Sequence, residues 1–139
     1  METKNITVRI PSNIAEWLDG RDNSYNGAIV DALEKAMFIE SYSMDEIKGK
    51  LTEQEWKYLA DSLNGTLALG SFRYSSSVLA AGVEDSDRLD GLGSKWGVDV
   101  KVLTEKILAL TAAQIDAIYT RVEDFWNNPK MDLNVWAKY

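Results

Sequence analysis

A chain of 139 residues that is 45% hydrophobic and carries five tryptophans can bury a core, as one domain or as two small ones. It contains no cysteine and no histidine, which excludes disulfides, thiolate or imidazole metal ligation, a cysteine nucleophile and the serine–histidine triad. The net charge of −7 divides into −3 for residues 1–40 (four basic, seven acidic) and −4 for residues 41–139 (11 basic, 15 acidic), so neither part has the basic excess of a non-specific polyanion binder. No window is long and apolar enough to span a membrane and no apolar leader stands at the N-terminus, so the expected location is cytoplasmic.

Residues 5–10 alternate strictly. Ile6, Val8 and Ile10 fall on one side, Asn5, Thr7 and Arg9 on the other, the period of a half-buried strand. Pro11 ends it and Ser12 is suited to cap a helix. No turn dipeptide or second strand follows, so the strand is expected to pair with another copy of the chain. Ile14, Trp17 and Leu18 lie at i, i+3 and i+4, a short amphipathic helix stopped by Gly20. After a turn over residues 20–23, Ser24 can cap a longer helix that buries Ala28, Ile29, Ala32, Leu33, Ala36 and Met37.

Strand, short helix, tight turn and longer helix within about forty residues resemble the ribbon-helix-helix family of dimeric DNA-binding regulators. The resemblance implies a homodimer whose two strands form a ribbon in the major groove of double-stranded DNA. Asn5, Thr7 and Arg9 would then face the bases, and these side-chain types can pair with base edges. It also implies a phosphate clamp at the start of the second helix, Ser24-Tyr25-Asn26-Gly27, with Ser24, Asn26, Gly27 and Lys4 as phosphate contacts.

The remaining residues read as helices with plain punctuation. Ser43-Met44-Asp45-Glu46 has the pattern of a capping box opening a short helix closed by Gly49, and Thr52-Glu53-Gln54-Glu55 that of another, followed by Trp56, Leu59, Ala60 and Leu63 on one face. Asn64-Gly65 should stop that helix, and residues 66–77 carry mixed signals. Residues 78–92 read as a helix with Leu79, Val83 and Leu89 inward; Asp99 can cap the next, with Val102, Leu103, Ile107 and Leu110. A third box, Thr111-Ala112-Ala113-Gln114, opens the last long helix, which buries Ile115, Ile118, Tyr119, Val122 and Phe125 or Trp126 and ends at Pro129. A tail bearing Met131, Leu133, Val135 and Trp136 must dock on its own domain or on a partner. The expected fold is mainly α: a ribbon-helix-helix domain over residues 1–41 and a helical domain over residues 42–139. Residues 51–65 and 96–126 also resemble small uncharacterised proteins of bacterial mobile elements.

Three constellations have a plain structural explanation. Glu84, Asp85, Asp87 and Asp90 fit no calcium-loop spacing and read as a solvated helix face. The glycines at 91, 93 and 97 lack the context of a phosphate loop and read as a helix–helix turn. Trp56, Trp96 and Trp126 sit beside apolar helix positions, as core residues do. No paired-carboxylate spacing stands out, so no catalytic residue, metal or cofactor is expected. The leading expectation is a dimeric DNA-binding transcriptional regulator. The alternative is a protein-interaction module, an antitoxin or an inhibitor of a nucleic-acid enzyme, whose acidic helical domain faces a partner protein.

Overall fold

The computed structural model describes residues 3–20, 24–64, 68 and 70–137. Among them are α1 (Ser12–Asp19), α2 (Tyr25–Ile47), α3 (Glu53–Ser62), a 3₁₀ turn (Gly70–Tyr74), α4 (Ser76–Asp90), α5 (Leu92–Trp96), α6 (Val100–Leu108), α7 (Ala112–Asn127) and α8 (Leu133–Trp136). The chain divides into two units, Met1–Phe38 and Ile39–Tyr139, the division falling within α2. No described helix is long and apolar enough to cross a membrane.

The ribbon-helix-helix expectation is overturned, because the described residues contain no strand. Residues 3–10 form no regular element, and Pro11 has φ −56° and ψ 150°, an extended, polyproline-like conformation. Alternation supplies the side-chain pattern of a strand, but a strand exists only through a ladder of hydrogen bonds to a neighbour. The expectation of a mainly α protein stands.

In the first unit, α1 begins and ends where the amphipathic pattern places it, but Pro11 rather than Ser12 occupies the N-cap, without a side-chain cap bond. Gly20 closes it with its N–H on Glu16 and Leu18 carbonyls. Ser24 does cap α2: its Oγ accepts from the Gly27 N–H at 3.2 Å. A hydrogen bond from Tyr25 to Asp19 leads the influences that raise the phenol's pKa above its ordinary value. Of the side chains expected inside, only Leu18 and Ala28 are buried.

The Ser43 capping box does not form, and α2 instead runs on to Ile47. An N-cap needs non-helical backbone, whereas Ser43 and Ile47 lie within a continuous helix, Ser43 only 2% exposed and Ile47 fully buried in the core of the second unit. Burial of this helical face overrides the local capping signal. The two other boxes form as written: Thr52 with Glu55 at α3, and Thr111 with Gln114 at α7.

The core of the second unit is built from helical stripes. Trp56 and Leu59 come from α3, Leu79 and Val83 from α4, Leu103 and Ile107 from α6, and Ile115, Ile118 and Val122 from α7. The i, i+3/i+4 spacing puts each set on one side of its helix, and α4 packs most extensively on α6. Three expected core residues lie outside: Leu89 is 70% exposed, Trp126 44% and Val102 42%. Leu89 falls in the last turn of α4, which ends at Gly91 in the left-handed conformation (φ 64°) rather than continuing to Leu92. The tail docks on its own unit: Trp136 is buried, edge-on to Trp56 with centroids 5.7 Å apart and 5.0 Å from Phe125.

Tyr58 lies wholly inside this core, donating from its hydroxyl to the Val83 carbonyl at 2.5 Å. Burial first, and the Asp87 charge second, push the phenol up to about 12. A raised pKa means the folded state holds the proton more tightly, so its stabilising effect is complete below pH 10 and disappears as pH rises from 10 to about 12. Tyr58→Phe should therefore flatten the alkaline loss of stability in that window, while costing about 1 kcal/mol at neutral pH for the lost hydrogen bond. Denaturant unfolding followed from neutral pH to 12 checks it, and an equally steep alkaline limb in the variant would contradict the assignment.

Candidate interaction surfaces

The residues expected to meet DNA are exposed. Lys4, Asn5, Thr7 and Arg9 lie on the N-terminal segment before α1, and Ser24 and Asn26 lie at the start of α2, with Gly27 half-buried. The structure thus forms two groups: an irregular run with polar side chains at 4, 5, 7 and 9, and a helix start at 24–27. At that helix start the Gly27 N–H is already bound by the Ser24 hydroxyl, leaving one donor fewer for an incoming anion. Arg21, the other cation that could join them, lies outside the described residues.

The apolar residues around these groups are also open. Ile6, Val8, Ile14, Trp17, Val30, Leu33, Met37 and Phe38 are all 45–80% exposed. The sequence pattern marks Ile6, Val8, Ile14, Trp17, Leu33 and Met37 as core-type positions, and a single chain leaves them in water.

The second unit has its own polar anchors. Glu55 is 4% exposed and accepts both from the Thr52 backbone N–H at 2.8 Å and from Lys106 Nζ at 2.7 Å, tying the start of α3 to α6. Asp61 accepts from Lys95 Nζ at 2.6 Å and Trp96 Nε1 at 2.9 Å. Burial works to raise its carboxyl, but these two donors outweigh it and hold the group below the usual carboxylate range. Trp126, half exposed, donates from its indole to the Ala60 carbonyl at 2.8 Å.

The largest anchor was not visible in the sequence. Arg73, in the 3₁₀ turn, donates to Asp116 at 2.7 Å, Glu123 at 2.6 Å, Thr120 Oγ1 at 2.7 Å and the Ala68 carbonyl at 3.2 Å. Its guanidinium also lies 5.8 Å from the centre of the Tyr119 ring. Burial opposes its charge, yet the bonds to the two carboxylates hold its pKa above the ordinary value. The available signal was an arginine in an otherwise uncharged stretch, together with acids at i and i+7 on one helix.

The glycine-rich corner between α4 and α6 is a packing turn. A Cβ on Gly93 would meet Asp87 Oδ1 at 2.7 Å and Val100 Cγ2 at 2.8 Å, and the Gly93 N–H is taken by Asp87 at 2.9 Å. A shallow depression of about 560 Å³ beside it is lined by Asp87 and Asp99 as well as Lys101, a poor setting for phosphate. Among the described residues no group of acids is arranged to hold a metal ion. No protein-family model, curated protein or solved structure matches the chain.

Proposed function

We propose that the protein works by association: its first unit pairs with a second copy of itself, and its acidic helical unit engages a basic protein partner, in the manner of an antitoxin or an inhibitor of a nucleic-acid enzyme. The observation that carries this reading is the apolar surface of the first unit. Many large apolar side chains left in water mark an association surface, and a second copy offers the same side chains in return. Two-fold pairing is self-complementary, so one patch serves as both halves of the interface. The net charge of −4 on residues 41–139 favours a basic partner. Sedimentation at low micromolar concentration should give twice the monomer mass of 15.6 kDa. A clean monomer with the N-terminal segment intact would overturn the reading.

Double-stranded DNA is the second reading, with the dimer acting as a transcriptional regulator. It is supported by the exposure of Lys4, Asn5, Thr7 and Arg9 on an open segment that a dimer presents twice. Arginine to guanine is the commonest specific contact and contributes about 1–3 kcal/mol. Arg9→Ala should therefore weaken binding to DNA from upstream of the protein's own gene at least about tenfold, with the dimer unchanged. Absence of duplex binding at low salt would leave the protein-interaction reading alone.

A further inference from the structure

The 3₁₀ turn Gly70–Tyr74 is held to the molecule in an unusual way. Gly70, Ser71, Phe72 and Tyr74 are all exposed, and no residue of the turn is buried. Arg73 is the exception, its side chain only 17% exposed and lodged against α7. Asp116, Tyr119, Thr120 and Glu123 recur at i, i+3, i+4 and i+7, so one helical face supplies two carboxylates, a hydroxyl and a ring to a single guanidinium. Phe72 and Tyr74 remain 60% and 53% exposed, so the Arg73 bonds are the turn's most specific tie to α7.

We infer that this turn is a releasable strap, and that the α7 face it covers is a docking site for an arginine of a basic protein partner, with Arg73 occupying it in the unbound chain. Release exposes Asp116 and Glu123 together, two negative charges spaced for a forked donor. The apolar side chains of the core come from other elements, and Tyr119 is the core member that meets Arg73. The closed strap is therefore an autoinhibitory contact, and an incoming arginine exchanges with a chemically equivalent group. This deepens the protein-partner reading above. It does not touch self-association of the first unit, so the two can fail separately.

The test uses the full chain and a short oligo-arginine peptide as probe, at about physiological ionic strength to suppress diffuse attraction to the acidic surface. Arg73→Ala should bind the peptide at least tenfold more tightly than the unaltered chain. The gain should vanish when Asp116→Asn and Glu123→Gln are added. No gain, or a gain that survives those two substitutions, overturns the inference. A readout on the unaltered chain covers the case in which Arg73→Ala does not fold. Peptide should accelerate amide hydrogen exchange at residues 72–75 and leave the middle of α7 unchanged. Exchange that is indifferent to peptide, or that accelerates only together with α7, also overturns it.

Discussion

Trp136→Ala is expected to destabilise the second unit by about 3–5 kcal/mol, the usual range for truncating a buried tryptophan. The residue is 3% exposed and meets three other groups: the edge of Trp56, the ring of Phe125 and the Arg121 guanidinium 5.5 Å away. Alanine would leave an indole-sized void between α3 and α7, which packed helices collapse to fill only in part. Part of the loss is offset, because the buried Trp136 Nε1 has no acceptor among the described residues and its desolvation is then relieved. The value should therefore fall toward the lower end. Equilibrium unfolding by circular dichroism measures it. A loss below about 1 kcal/mol would mean that the tail lies on the surface in solution.

The other large effect belongs to the first unit. Leu33 is 60% exposed in the single chain, so Leu33→Asp removes little from the intramolecular fold. In a dimer it places a charge within an apolar interface, costing several kcal/mol per copy. Two copies make the penalty act twice, and association should weaken by more than about a hundredfold. Glu34→Ala, one position along α2, is the control and should leave the dimer intact. Sedimentation over a concentration series distinguishes them. Equal association of the two variants would place the contact surface elsewhere.

How much of this was legible in the sequence depends on how local the cause is. Capping at Thr52 and Thr111 is decided within four residues, and both boxes formed as the letters suggest. The stripes of α3, α6 and α7 are equally local, and their centres were placed correctly. Ser43 shows the limit: its side chain carries a start signal, but Met44 and Ile47 gain more by packing against the second unit's core while the helix continues. The alternation at residues 5–10 marks side chains suited to a strand, yet pairing is a property of two segments, and no described segment supplies the second. Arg73 was opaque for a related reason, since its side-chain acceptors lie 43 to 50 residues away. The candidate surface itself was half legible: the apolar positions of α2 were identified, but only the structure shows how few of them a single chain can cover.

The indole bond from Trp126 to Ala60 joins positions 66 residues apart, and Trp56 meets Trp136 across a still longer span. Helical proteins usually fold quickly because their contacts are close in sequence, and these are not. The second unit therefore gains its final stability only once its last helices have been synthesised, and during translation α3 must wait with its tryptophan uncovered. Its folding should be all-or-none, and it should begin only after α8 has left the ribosome.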